Sequence, residues 1–483
     1  MTVISTYPSV SGKYLIGGKW IQAAKTANVI NPAHTSEVVG EVALCSKEDV
    51  DQAVATAAKA YESWSQSEIE DRANRMQLAA EEIRAITEEN VSLLVRENGK
   101  VLVEAKKDLL RCVDIMKQGA EELLEWWQPE SLPGNQKVQI RKRPRGVAAI
   151  ISPWNSPMIL TFKRVIPAVL TGNTVVVKPA TSCPLTIMTF LKVVASYFPD
   201  GVINVVSGSG GVIGDALCSD PRVRTIAFVG STETGKEIMR AASGTVKKLY
   251  MELGGNDAAI LLPDVNLDDE AIKRLRFGVL RAAGQVCSAI KRIYVHESRY
   301  EEAVEKLKKE FSRIRVGNGI QPDVEMGPLN NKSQYDYVKG LIERAAESGA
   351  NVITGGIQLD PESWEQGYFI MPTIITGVEQ RSEIVRAEQF GPVIPILPFS
   401  DIDEVVKQAN DSEFGLRASV WTEDEALAAK LADRLEAGAV FHNNHTVFQD
   451  LHLDFPGLKE SGLSRETRHC GLEYFADSYG LAN

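Results

Sequence analysis

Cysteine is scarce and scattered in this chain: six among 483 residues, at positions 45, 112, 183, 218, 287 and 470. No two stand in CxxC spacing, which excludes an evident zinc site or disulfide framework and leads us to expect a reducing, cytoplasmic compartment. Long apolar runs are missing as well. None approaches the roughly 20 residues that a spanning helix needs, so no membrane association is expected. The first residues, MTVISTYPSVSGKYLIGG, lack a basic stretch leading into an apolar core, and no secretory leader is expected. Positive charge is in deficit, with 53 Lys and Arg against 64 Asp and Glu and a net charge of −11. With no basic block to offset that balance, nucleic acid is not an expected partner. The dinucleotide fingerprint G-x-G-x-x-G is also absent: Gly208-Ser-Gly-Gly-Val-Ile-Gly214 has the wrong spacing.

What remains is an ordinary globular composition, 44% hydrophobic and 24% charged, in a chain long enough for about three domains. Apolar residues at helical spacing predict a helix over 48–95 and another over 101–127, followed by a turn-rich break at Gln128-Pro-Glu-Ser-Leu-Pro-Gly-Asn135. Residues 137–144 alternate polar and apolar, as an exposed strand or arm would. From 146 the rhythm changes. Short β-branched runs at 146–152, 173–178, 202–207 and 225–229 predict strands, separated by helices around 158–170, 184–197, 211–218 and 234–242. This alternation predicts an α/β fold with a parallel sheet, whose ligands would lie at the carboxyl ends of the strands, near Asn155, Lys178, Gly208 and Gly230. A second α/β stretch begins near 256, with strands at 258–262, 291–295, 351–354, 393–397 and 418–421. Its helices are expected at 268–283, 299–313, 333–348, 402–410 and 424–436.

Several residues along this frame could carry chemistry. Cys287, in Ala282-Ala-Gly-Gln-Val-Cys-Ser288, could be a nucleophile, although a free cysteine is more often a small buried hydrophobe. Glu252, 35 positions upstream beside Gly254-Gly255, could activate water or be an ordinary strand-end carboxylate. The Asn155 amide could hold a developing oxyanion or simply sit in a turn. Gly230-Ser-Thr-Glu-Thr-Gly235 follows a strand and opens a helix. It offers an anion site, or merely an N-cap from Ser231 or Thr232.

Taken in order, Pro153-Trp-Asn155, Lys178-Pro179, Gly230-Ser-Thr-Glu-Thr-Gly235, Glu252-Leu-Gly-Gly255, Gly284-Gln-Val-Cys287, Glu388-Gln-Phe-Gly-Pro392 and Lys459-Glu-Ser-Gly-Leu-Ser-Arg-Glu466 resemble the aldehyde dehydrogenase superfamily over roughly 15–475. The resemblance implies a Rossmann-like cofactor domain (1–122 and 145–254), an α/β catalytic domain (255–457) and a small β oligomerisation arm (123–144 and 470–483), assembled as a homodimer or homotetramer. It implies that Cys287 is the nucleophile, Asn155 part of the oxyanion hole, Glu252 the deacylation base and Glu466 a carboxylate linked to proton removal. Ile151, Trp154, Lys178, Thr181, Gly208, Gly230, Ser231, Leu253, Glu388 and Phe390 match cofactor-contacting positions, and Ser288 a substrate-contacting one. A glutamate at 252 is absent from relatives that pass the acyl group to coenzyme A, so hydrolysis to the acid is expected. Retention of Cys287, Glu252 and Asn155 together argues against a non-catalytic structural relative.

Two basic residues bear on the substrate. Lys163 lies eight positions after Asn155 and Arg281 six before Cys287, and relatives acting on succinate semialdehyde are similar in having cations at both places. Two cations on a partly dry tunnel are costly unless an anion meets them, which predicts a carboxylated semialdehyde rather than a neutral aromatic or aliphatic aldehyde. Where NAD-preferring relatives commonly have glutamate, this chain has Thr181, so NADP is expected to be accepted at least as well as NAD. The segment 444–457 departs from the usual pattern at Asp454-Phe-Pro-Gly-Leu458. Its neighbourhood holds His442, His445 and His452, which read as a polar loop rather than a metal site.

Overall fold

The β-branched runs become two seven-stranded sheets in the computed structural model, which describes residues 9–132, 135–361, 364–445, 456–463 and 469–482. In the first sheet Lys248–Glu252, Val223–Val229, Val147–Ile151, Thr174–Lys178 and Ile203–Val205 lie side by side, all parallel. The hairpin Lys13–Ile16 with Lys19–Gln22 then extends the edge antiparallel. Every residue of Thr174–Lys178 is buried, as expected of a central strand covered by helices on both faces. The second sheet runs Asn351–Thr354, Thr373–Thr376, Val393–Phe399, Ile290–His296, Asp257–Leu261, Arg417–Trp421, Ala439–His442, with only its first pair antiparallel.

Three differences from the expected elements have local causes. The helix expected over 48–95 is two, Lys47–Trp64 and Ile69–Asn98. A buried guanidinium splits them: Arg72 donates to the carbonyls of Trp64, Ser65 and Ser67, satisfying groups that a helix end leaves bare. Burial lowers the Arg72 pKa to about 10. The helix expected over 268–283 stops at Leu280, because residues 282–284 turn left-handed. Strands Thr373–Thr376, Ala439–His442 and the hairpins before residue 44 carry no clear sequence signal, being short or half exposed.

The two sheets face each other edge to edge. The first presents its carboxyl ends, at Ile151, Lys178, Val229 and Glu252. The second presents its amino ends, at Asp257, Ile290 and Arg417. The chain crosses from one to the other through 253–256, and that crossing explains the double glycine. A Cβ on Gly254 would lie 2.5 Å from Glu388 Oε2, and one on Gly255 2.6 Å from the Cys287 carbonyl oxygen.

A third, smaller antiparallel sheet pairs Ala476–Ala482 with Asn135–Pro144, and the latter with Glu130–Leu132. Among the described residues no helix is long and apolar enough to cross a membrane.

Candidate active site

Between the opposed edges lies a cavity of about 510 Å³, lined by residues of both sheets' loops, including Trp154, Asn155, Gly230, Ser231, Leu253, Cys287, Glu388 and Phe390. Six of the seven motifs, scattered over 300 residues of sequence, thus contribute residues to one cavity. Trp154 and Phe390 pack edge to face, 5.5 Å between centroids. Phe390 itself adopts a left-handed backbone (φ 50°). Ser231 caps the helix Thr232–Ala242, accepting from the Thr234 amide, so the first-turn N–H groups border the cavity.

Cys287 stands not at a helix end but in the loop before strand Ile290–His296. Ala282 (φ 51°), Ala283 (φ 55°) and Gly284 (φ 73°) form a left-handed turn, a conformation that costs an alanine roughly 1–2 kcal/mol. Only glycine fits at 284, where a Cβ would come within 2.1 Å of the Gly391 carbonyl oxygen. Gln285 then becomes a hub. Its carbonyl accepts the Asn155 side-chain amide (2.9 Å), its side-chain oxygen accepts the Asn330 N–H (2.9 Å), and its side-chain nitrogen donates to the Ala282 carbonyl (2.9 Å). Asn155 is held against the Cys287 loop in this way, with one of its two N–H donors unused among the described residues.

Burial pushes the Cys287 thiol above its ordinary range. Lys291 opposes that shift, while Glu252 and Glu388 reinforce it. The Lys291 ammonium donates to the carbonyls of Val286 (2.9 Å) and Cys287 (2.5 Å) and lies 3.5 Å from Glu388. Glu388 in turn accepts the Gly255 amide at 3.0 Å, and burial raises its pKa. Glu252 ends its strand with a partner on each oxygen: the Tyr250 hydroxyl donates at 2.6 Å and the Arg164 guanidinium pairs at 2.5 Å. Tyr250 stacks face to face on Tyr474, 3.6 Å between centroids. Lys291, Tyr250 and Arg164 carry no motif signal of their own; only an apolar-strand lysine and a buried helix arginine hinted at partners.

Other expected residues fall around this centre. Lys178, at its strand's end, is buried, and its ammonium makes no hydrogen bond or ion pair among the described residues; burial lowers its pKa. Ile151 ends the neighbouring strand, half-buried Thr181 sits in the turn after Lys178, and Gly208 follows its strand with φ 149°. Lys163 lies half-buried on the helix Pro157–Leu170, and Ser288 is half-buried beside Cys287. Arg281 closes the helix Asp269–Leu280, with its guanidinium over the Phe277 ring at 5.5 Å. Lys163, Arg281, Lys178, Ile151, Thr181, Gly208, Ser288 and Glu252 are not part of the cavity wall. Glu466 and His452 lie outside the described residues. His442 contacts the Thr422 carbonyl, and His445 is buried between Ser419 and Asp257.

The model of the aldehyde dehydrogenase family matches residues 20–478. The chain belongs to that family. This aldehyde dehydrogenase is 36% identical to phenylacetaldehyde dehydrogenase of Pseudomonas fluorescens, in an alignment covering 100% of the chain and 98% of the relative. It is 34% identical to succinate-semialdehyde dehydrogenase [NADP(+)] 2 of Schizosaccharomyces pombe, over 95% and 94% of the two chains. Its fold superposes on betaine aldehyde dehydrogenase of Staphylococcus aureus, solved in complex with NAD+, with a TM-score of 0.92 at 31% identity, covering 98% of this chain and 94% of that one. It is therefore an oxidoreductase acting on aldehydes, with the α/β architecture that the sequence implied.

Proposed function

We propose that this enzyme oxidises a carboxylated semialdehyde, of the succinate semialdehyde type, to the acid with NAD or NADP. The observation that carries the proposal is Arg281. Its guanidinium stands in the neighbourhood of Cys287 and makes no hydrogen bond or ion pair among the described residues, while burial lowers its pKa. Glu104 and Asp108 are its acidic neighbours, both beyond ion-pair distance. An anion delivered by the substrate would supply the missing partner, and a charge-assisted hydrogen bond of that kind is worth ~1.5–3 kcal/mol. Lys163, on the helix behind Asn155, is the second cation assigned to this end of the substrate.

The residues present fit a dinucleotide. The buried Lys178 ammonium forms no ion pair among the described residues, and the helix start at Ser231 borders a slot walled by Leu253, Trp154 and Phe390. A nicotinamide dinucleotide held there would supply the hydride acceptor for the oxidation. The Cys287 thiolate adds to the aldehyde carbon, forming the C–S bond as the carbonyl electron pair moves onto oxygen. Asn155 and the Cys287 N–H hold that oxygen. After the oxidation Glu252 removes a proton from water, the water oxygen attacks the thioester carbonyl, and the C–S bond breaks to return the thiolate. Glu252 must exchange its hold on Tyr250 and Arg164 to do so. Glu466 is assigned to carry the proton onward, and Ser288 to contact the substrate. Thr181 in place of a carboxylate leaves room for a 2′-phosphate near Lys178, which supports use of NADP at least as well as NAD. The domain bounds 1–122 with 145–254, 255–457, and 123–144 with 470–483 are our assignment, as are a homodimer or homotetramer and a cytoplasmic setting. Free thiols at all six cysteines support the last.

A neutral aldehyde is the second reading, favoured by the similarity to phenylacetaldehyde dehydrogenase. Steady-state kinetics with succinate semialdehyde, phenylacetaldehyde and hexanal, each with both cofactors, separate the two. Arg281→Ala should raise KM for succinate semialdehyde at least tenfold and leave the neutral substrates within about threefold, since a tenfold change is about 1.4 kcal/mol. Equal effects on all three would discard the anion reading.

A further inference from the structure

Half-buried Glu104, on the helix Leu102–Trp126, belongs to no motif that the aldehyde chemistry uses, yet it reaches the catalytic loop across 178 residues of sequence. Its Oε1 accepts the Ala282 N–H at 2.9 Å. That N–H opens the left-handed turn 282–284, in which two residues with side chains hold a backbone that glycine alone adopts freely. Residue 281, just before the bond, bears the guanidinium, and Gln285, just after the turn, carries the carbonyl that fixes Asn155.

We infer that Glu104 is a positioning residue for aldehyde oxidation: by accepting the Ala282 amide it keeps residues 282–284 left-handed, and so aligns Cys287 with Asn155. Its acceptor role is what matters, not a charge alone. Around it lie Arg281, Lys107 and Lys100, the last committed to Asp108 at 2.6 Å, so no cation forms an ion pair with Glu104 among the described residues. Burial favours its protonated form, and the Ala282 bond and the nearby cations favour the carboxylate. Without the acceptor, the Ala282 N–H would be left bare inside the protein while the turn keeps its unfavourable backbone. The loop would then relax toward ordinary backbone angles, and the Gln285 carbonyl would move with it.

The experiment compares Glu104→Ala, Glu104→Gln and the double variant Glu104→Ala with Ala283→Gly in the full-length enzyme. The readouts are kcat and KM for hexanal, KM for the nicotinamide cofactor, and the rate of Cys287 alkylation by iodoacetamide at one pH. Glu104→Ala should lower kcat at least tenfold and change the alkylation rate at least threefold, with the cofactor KM unmoved. Glu104→Gln, which keeps an oxygen acceptor, should recover most of the loss. The added glycine should also recover part of it, because it adopts the positive φ without strain. If Glu104→Ala does not fold, the comparison of Glu104→Gln with Glu104→Asp stands in for it: the shorter acid keeps the charge but loses reach, and should be the worse of the two. Unchanged kcat in Glu104→Ala, or a Glu104→Gln as impaired as Glu104→Ala, overturns the inference. It rests on Cys287 as nucleophile, and that reading fails separately, through an active Cys287→Ser.

Discussion

At the scale of single residues, the groups proposed to react stand in motifs visible in the sequence, and their attendants do not. Cys287, Glu252 and Asn155 stand in short motifs, and near Glu252 and Cys287 neighbouring protein atoms leave no room for a side chain, as the blocked Cβ positions of Gly254 and Gly255 show. Arg164 and Glu104 act on partners far away in sequence, Glu252 and Ala282, and no local pattern encodes a bond such as that from Ala282 to Glu104. The thiol itself yields a prediction. Burial disfavours the Cys287 thiolate in the free enzyme, with Glu252 and Glu388 adding to that effect against Lys291. Alkylation by iodoacetamide should therefore keep accelerating as pH rises through 9.0, the ordinary thiol value. A rate that levels off near neutral pH would contradict the charge balance described for this loop.

At the scale of elements, β-branched runs and helical spacing located most of the parallel strands and most helices, but not Lys248–Glu252, Thr373–Thr376 or Ala439–His442. The break at 65–68 escaped notice because Arg72, a residue that helices accept readily, makes it from inside the core. A second buried charge, Glu97, ties the end of helix Ile69–Asn98 to the start of Leu185–Ser196, accepting the amides of Leu185 (2.8 Å) and Thr186 (2.7 Å). Burial raises its pKa from 4.5 to about 7, the amide bonds opposing. The folded chain thus binds this proton more tightly than the unfolded one. Its contribution is fully present below pH 4.5 and is lost as pH rises to about 7. The whole effect is about 3 kcal/mol at most. Thermal melts from pH 5 to pH 8 should show a shallower loss of Tm in Glu97→Gln than in the parent. Parallel slopes would falsify this account of the helix junction.

At the scale of the whole molecule, the sequence indicated two α/β regions and an arm. It did not indicate that the sheets would meet carboxyl edge to amino edge, since that depends on how 253–256 cross between them. The arm sheet is bound to the body through Arg145, which pairs with Asp477 at 2.9 Å, and through Tyr474 on Tyr250. Its outer strands, Ala476–Ala482 and Glu130–Leu132, each have one edge unpaired among the described residues. Such edges invite pairing with another copy. Light scattering should report a dimer or larger for the intact chain, and a smaller species after deletion of 476–482. An intact chain that scatters as a monomer would remove the oligomerisation role.

The left-handed turn ahead of Gln285 also limits how this scaffold can be redesigned. Positions 282 to 284 are fixed by backbone angle, and 284 by the Gly391 carbonyl as well, so libraries spread across them would consist mostly of broken loops. Position 281, with ordinary backbone angles and a side chain outside the turn's hydrogen bonds, is where diversity can be introduced without dismantling the catalyst.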